Sequence, residues 1–454
     1  MGIIIKIVPN SVSGDEFFCL EDSTPRAGHI VPLTCDPNSS PFIDLRNGLC
    51  EPEQVMMAGK ALFNNLCQHP VVKKRFEDLA TGPGKSESIY VHLDIEVQRA
   101  EELPWEALFD PGDNTGPGFF ALNYRPIGRI VDSSRSATEL TRQLEAPVRF
   151  VAVLSAAGGI SAESEWENLD AAIQASGCPV DMHVFLAERA LRQRIETERP
   201  GLHVEFISER DDLLTSIAAV KPHVLHFFCH GSAEFGNYLE LATLADMDEG
   251  AAVGSILFEA RDFEPPDIRK SLWLTTLNAC ETAAPGAAAQ QSSLARSLIA
   301  VGIPVVVAMR ERIDADMANI VAGFFYRSLF GEVARLLQLP IPPAEGLIKC
   351  SIDWPDVLSE LRNRLIVARG APLPPSKAAR ARKEWTLPAL YTRSATALEL
   401  VRYSATMRTP EQRAIQSELN SYRKWRAAMH PDTPEGIRSQ LDQRITELEK
   451  ALAA

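Results

Sequence analysis

The stretch 221–280 constrains this chain more than any other. It opens with KPHVLHFFCHG and closes with LWLTTLNACET. Each end is a short apolar run: Val224, Leu225, Phe227 and Phe228 lead to Cys229-His230-Gly231, and Leu272, Trp273, Leu274 and Leu277 lead to Asn278-Ala279-Cys280. Runs this short, apolar toward both faces and bounded by proline or polar residues, predict buried parallel strands. In an open α/β sheet, ligands gather outside the carboxyl ends of the strands. Those ends are where His230 and Cys280 fall, 50 positions apart. A thiol and an imidazole brought together make a nucleophile and its acid–base partner, so His230 and Cys280 are the candidate catalytic pair.

Each residue type also has a plainer use. A lone buried Cys is most often a small inert hydrophobe, and a His in an apolar run a satisfied core residue; that reading suits Cys229 and His226. A metal held by His226, Cys229 and His230 is disfavoured, because alternation along a strand turns Cys229 away from the two histidines and no second ligand cluster accompanies them. No metal and no other cofactor is expected.

The rest of the chain repeats the strand-then-helix rhythm. Residues 1–50 are rich in proline and turns, with β-like runs at 3–8 and 16–20, and read as a β or loop lead-in. Glu51-Pro52-Glu53 opens a helix of about 25 residues that Pro70 kinks or divides. Ile89, Val91, Leu93, Ile95 and Val97 alternate, which predicts a strand over 89–97 with one apolar face. Trp105 reads as a core anchor. Further strands are expected at 148–154, 204–207, 223–229, 272–277 and 304–309. Helices are expected at 162–174, 211–220 and 292–300, and from Asp314, a plausible N-cap, to 329. Short strands at 239–241 and 255–258 enclose an acidic turn (Asp246, Asp248, Glu249). Such alternation specifies an α/β fold with a mostly parallel central sheet flanked by helices. Segments 111–118 and 371–377 read as a surface loop and a linker.

After 393 the pattern changes. Thr409-Pro410-Glu411 and Thr433-Pro434-Glu435 start two helices, one striped by Ile415, Leu419, Tyr422, Trp425 and Met429, the other by Ile437, Leu441, Ile445, Leu448 and Leu452. Each stripe recurs every three or four residues. The expectation is a C-terminal helical hairpin over 394–454, packing its stripes together or on the core, or docking a partner.

At 454 residues the chain is long enough for more than one domain. With 45% apolar and 23% charged residues it has globular composition. A net charge of −14 argues against general nucleic-acid binding or an anionic membrane surface. The N-terminus MGIIIKIVPNS is too short in apolar residues for a signal peptide or membrane span, and Lys6 stands where a myristoylation motif wants Ser or Thr. The eight cysteines lie at irregular spacings and read as reduced thiols. A cytoplasmic location is expected. Gly84-Lys85-Ser86 ends like a phosphate loop, but Leu79 replaces the required first glycine and a strand follows. SAAGGI at 155–160 lacks the G-x-G-x-x-G spacing, so a nucleotide-binding class has no motif here.

VLHFFCHG and LNACET together resemble the two motifs of the CHAT family, caspase-like cysteine peptidases that include relatives of separase. LDIEVQRAEELPWEALFD upstream, and SSLARSLIAVGIPVVVAM, FFYRSLFGE and EWTLPALYTR downstream, are similar to further family segments. The likeness covers roughly 51–393. It implies a caspase-like sandwich over 51–393, with His230 as general acid, Cys280 as nucleophile, and the backbone N–H groups of Gly231 and Cys280 as oxyanion donors. It implies a protein substrate and, with no sensor recognisable in the chain, a separate activator or sensor protein, in the prokaryotic defence or regulatory settings such proteins occupy. Relatives that cut after Arg or Lys often carry an acid two residues before the Cys; here Asn278 stands there, a candidate substrate-pocket residue. The signature Q-A-C-[RQG]-G is absent, so cleavage after Asp is not implied. The loop 282–291 is expected to border the cleft. The alternative is a non-catalytic scaffold or interaction protein that keeps the fold.

Overall fold

A computed structural model describes residues 2–10, 13–21, 28–47, 53–81, 87–112, 118–122, 127–132, 141–155, 157–158, 160–232, 237–280, 282–284, 292–313, 315–342, 346–368, 382–394, 398–404, 410–430 and 433–453. The expected phosphate-loop look-alike, the 111–118 loop, the 371–377 linker, Asp314 and most of 282–291 lie wholly or largely outside the described residues. The strands are β1 (Ile3–Pro9), β2 (Glu16–Leu20), β3 (Val31–Pro32), β4 (Ile89–Leu93), β5 (Ile127–Val131), β6 (Thr141–Gln143), β7 (Val148–Leu154), β8 (Val180–Leu186) and β9 (His203–Phe206). They continue with β10 (Val224–Phe228), β11 (His230–Ser232), β12 (Tyr238–Leu241), β13 (Ile256–Phe258), β14 (Leu274–Asn278), β15 (Val305–Met309), β16 (Leu347–Ser351), β17 (Pro388–Thr392) and β18 (Glu399–Tyr403).

One compact unit comprises Met1–Arg142, Ala146–Ala334 and Ile352–Leu398. Its spine is a 12-stranded sheet in the order β3-β2-β1-β4-β5-β17-β15-β14-β10-β7-β8-β9. From β14 outward through β10, β7, β8 and β9 every pairing is parallel. The central strands β4, β5, β10, β14, β15 and β17 are buried on both faces, which explains the apolar runs of β4, β10, β15 and β17. Helices such as Glu163–Ser176, Arg210–Val220 and Leu294–Val301 accompany the strands in sequence. Trp105, Trp166, Trp273, Trp354 and Trp385 are among the largest fully buried side chains. Each such apolar side chain contributes on the order of 2–3 kcal/mol.

Several expectations need correction. Residues 1–50 are no mere lead-in: β1 pairs in parallel with β4 and antiparallel with β2, so the segment extends the main sheet. The strand expected at 89–97 stops at Leu93 and is buried on both faces, because β1 and β5 cover its two edges and the layers its two sides. Beyond it Ile95 is 61% exposed. The sheet is mostly parallel, as expected, with β17 running antiparallel to β15. The helix begun near 53 is divided as the proline predicts, into Gln54–Leu66 and Pro70–Thr81. Strands β5 and β8 had no strong apolar signature: Gly128 and Arg129 interrupt one, Asp181 and His183 the other.

Arg129 is instead the centre of a buried ionic cluster. Its Nε and Nη2 donate to the two oxygens of Glu106 at 3.2 and 2.9 Å, Nη1 to Glu101 O and Tyr391 Oη, and Nη2 also to Leu103 O. All five N–H donors are thereby used. Burial alone would raise the Glu106 carboxyl, but Arg129 and then Arg310 hold it below its ordinary value.

A second unit comprises Gln143–Glu145, Arg335–Ser351 and Glu399–Ala454. It is larger than the hairpin expected over 394–454, because β16 pairs antiparallel with β18. The two helices run over Pro410–Ala427 and Glu435–Ala453. Arg426–Asp442, Arg444–Glu418 and Arg423–Glu449 pair across the hairpin at 2.7–2.8 Å. Leu419, Leu441 and Leu448 are buried, whereas Trp425 and Ile437 stay exposed.

Candidate active site

The register of β10 on β14 brings the candidate pair together. Val224 lies opposite Leu274 and Phe228 opposite Asn278, a constant offset through the ladder. His230 and Cys280 are each two residues past the last rung, so the chain delivers both to the same level at adjoining strand ends. The next residue supplies the close contact. A Cβ on Gly231 would overlap the carbonyl of Cys280 and press on Thr282 Cγ2 at 3.0 Å. Glycine is therefore required for the strand after the histidine to lie against the cysteine's own backbone.

His230 is partly exposed, with Nε2 3.0 Å from the carbonyl of Ala157. A carbonyl only accepts, so Nε2 carries the proton and, in the neutral ring, Nδ1 is the bare nitrogen. A main-chain oxygen in the loop after β7 takes the orienting place, and it has no side-chain signature to read.

Cys280 is half-buried, its Sγ 3.7 Å from Ile313 O. The turn that carries it is sewn down by Thr282. That hydroxyl donates to Ala279 O at 3.0 Å and accepts from Met309 N at 3.2 Å, while Ala283 N donates to Met309 O and Ala295 N to Thr282 O. Ala283 O also accepts from Tyr391 Oη at 3.3 Å. The turn is thus bonded to the ends of β14 and β15 and to the Arg129 cluster. Thr282 was quoted in the motif, but its role was missed.

Cys229 has a different setting. It is 7% exposed, within the apolar cluster of Val151, Phe227, Leu239 and Leu277. Burial, then the neighbouring Cys280 and Glu240, push its thiol well above the ordinary range. His226 is fully buried, with Nε2 2.8 Å from Glu165 Oε1. Asn278 is 2% exposed and belongs to the same cluster: its Nδ2 donates to Glu165 Oε1 at 2.8 Å and to Ala318 O at 2.9 Å. The expectation that Asn278 lines a substrate pocket is therefore corrected, since its amide is committed inside the protein. Two acids of the turn between β12 and β13 are also committed. Asp246 caps its own helix through Thr243 and takes Ser255, and Asp248 pairs with Arg189 at 2.7 Å.

A cleft of about 320 Å³ opens beside the cysteine's turn, lined by Ala283 and Ala284 on one side and by Arg310, Glu311 and Arg312 on another. Among the described residues no group of three His, Cys, Asp or Glu side chains is placed to hold a metal ion. No described helix is long and apolar enough to cross a membrane.

The mostly parallel sheet flanked by helices defines an α/β protein, with His230 and Cys280 just past the ends of adjoining strands. Residues 57–338 match the model of the CHAT domain family, and the chain belongs to that family. No curated protein matches it. Among solved structures it is similar to the separase–securin complex of Saccharomyces cerevisiae, with 10% identity, a TM-score of 0.38, and 74% of this chain but 17% of that one covered. It is also similar to the complex of the pro- and mature domains of RgpB from Porphyromonas gingivalis, with 8% identity, a TM-score of 0.38, and 74% and 72% of the two chains covered.

Proposed function

We propose that the protein is a cysteine endopeptidase that cuts a protein partner with the Cys280–His230 pair. The observation that carries this reading is the register of β10 on β14, with Gly231 seated on the carbonyl of Cys280. Nδ1 of His230 takes the proton of the Cys280 thiol, and the thiolate attacks the scissile carbonyl carbon, forming a C–S bond as the C=O π pair moves to oxygen. The negative charge that moves to the carbonyl oxygen is met by the N–H groups of Gly231 and Cys280. His230 protonates the leaving amine as the C–N bond breaks, and water then hydrolyses the thioester. Gly231's contact with the cysteine backbone supports its N–H as a donor, and Ala157 O supports His230 by fixing its tautomer.

The family resemblance supports the wider setting: a cytoplasmic peptidase of a prokaryotic defence or regulatory system, switched on by a separate activator. The test combines labelling by a thiol-reactive peptide inhibitor with a search for new protein termini after expression. Labelling at Cys280, and termini that vanish in Cys280→Ala, are expected. Cleavage that survives in folded Cys280→Ala protein would remove the assignment.

A further inference from the structure

The cleft beside the cysteine's turn has an unbalanced wall. Its acids are already matched. Glu101 takes Ser293 Oγ at 2.5 Å and Arg296 Nη1 at 3.0 Å, Glu102 takes Arg46 at 2.8 Å, and Glu311 takes Lys383 at 2.6 Å. Arg310 is the cation left over. It is 8% exposed, and its Nη2 donates to Glu102 O at 3.1 Å. Its nearest acids, Glu311 and Glu106, stand at 3.8 and 4.0 Å, and Glu106 is already gripped by Arg129. Nη1 of Arg310 is buried and finds no acceptor among the described residues.

The shortage extends behind the wall. Arg362 is fully buried, with Nε and Nη1 likewise lacking acceptors among the described residues. Arg129, Arg296, Arg310 and Arg362 thus outnumber the buried carboxylates Glu101, Glu106 and Glu311 that face them. Burial shifts both surplus cations downward, Arg310 in spite of Glu106 and Glu311, and Arg362 to about 10. An uncompensated buried cation is costly until an anion arrives, and a guanidinium is built to take a carboxylate by paired N–H bonds. Arg312 adds an exposed cation at the rim.

We propose that this cleft is a substrate subsite that takes an acidic side chain of the bound polypeptide, with Arg310 as its main anchor. Ala283, which lines the cleft, lies three residues after the nucleophile, and the proposal sets the mouth of the cleft on the path of a chain bound across Cys280. This inference rests on the peptidase reading above, and its test is kept independent of turnover.

Full-length Cys280→Ala protein is titrated with fluorescent octapeptide pools, randomised except at one position fixed as Glu or as its isostere Gln. At one position the Glu pool is expected to bind about tenfold more tightly. In Arg310→Gln that preference is expected to fall within about twofold, and in Arg312→Gln, an exposed change that leaves the core intact, to weaken by about threefold. Circular dichroism checks that each variant is folded. No Glu preference at any position, or a preference unchanged in both variants, overturns the proposal. Succinate as a free competitor separates the other source: displacement only at millimolar levels is expected, and binding as tight as the best Glu pool would make this a small-anion site and overturn the subsite. A Glu preference without any Cys280-dependent cleavage would instead defeat the peptidase reading and leave the acidic site standing.

Discussion

Arg129 and the Glu165 group, two buried polar centres of the long sheet, are satisfied to different degrees. Around β5 and β17, Arg129 spends every N–H on Glu106, Tyr391 and two carbonyls. Around β10 and β14, Glu165, His226 and Asn278 gather beneath the candidate pair, yet Glu165 Oε2, Asn278 Oδ1 and His226 Nδ1 find no hydrogen-bond partner among the described residues. Arg129, with every donor filled, fixes a frame, while Arg310 and Arg362 near it keep donors without acceptors among the described residues. The under-satisfied Glu165 group sits where the sheet presents its reactive groups, the place where proteins tolerate unmet polar atoms. The two centres sit on neighbouring strand pairs of one sheet, with β15 between them.

The sharpest way to break this contrast is to remove the chemistry. His230→Ala should lower peptide cleavage by roughly 10²–10⁴-fold and Cys280→Ala should abolish it, both with unfolding curves close to the parent. A large loss of stability in either would mean that the pair serves packing. Next in size is Glu106→Gln, which leaves Arg129 buried against a neutral amide and should cost about 3–5 kcal/mol in denaturant melts. Its pH dependence has a definite sign. The folded carboxyl is held below its unfolded value, so the stabilisation is present above about pH 4.3 and disappears as pH falls through the folded pKa. Glu106→Gln should therefore show a flatter loss of stability below that pH; an unchanged acid profile would contradict the pairing.

Glu165→Gln is the matched substitution in the other centre. Its carboxylate is only partly engaged, and the expected cost is about 1–2 kcal/mol. A cost equal to that of Glu106→Gln would erase the contrast. The smallest effect is expected at Cys229→Ala, about 1 kcal/mol, with cleavage retained. Mass spectrometry after brief alkylation should find Cys280 modified and Cys229 intact, because burial keeps the latter a thiol.

The reactive pair was the more legible part. Apolar runs ending in His230 and Cys280 announced adjoining strands, since a strand buried on both faces leaves a continuous signature. The Arg129 centre left none. Glu101, Glu106 and Arg129 look like surface residues in sequence, and only strand pairing over long separations shows that each finds its counterpart in the interior. Strand β5, with Gly128 and Arg129 in its middle, was lost for the same reason. Asn278 misled because its motif position suggested a pocket, whereas the helix Glu163–Ser176 brings Glu165 against it. Ala157 O and Gly231's contact with Cys280 are main-chain facts, invisible until the chain is folded.

The constant register of β10 on β14 has one more consequence. The spacing between thiol and imidazole is set by the rungs of the ladder, about 4.8 Å per strand, and not by the chain that wanders between them. Exposed turns of the intervening crossover can lengthen or be cut without changing that register, provided that Gly231 and the buried Leu239, Leu241, Phe258 and Phe263 keep their places. Two polypeptides divided at such a turn would still carry β10 and β14 with the same rungs to match.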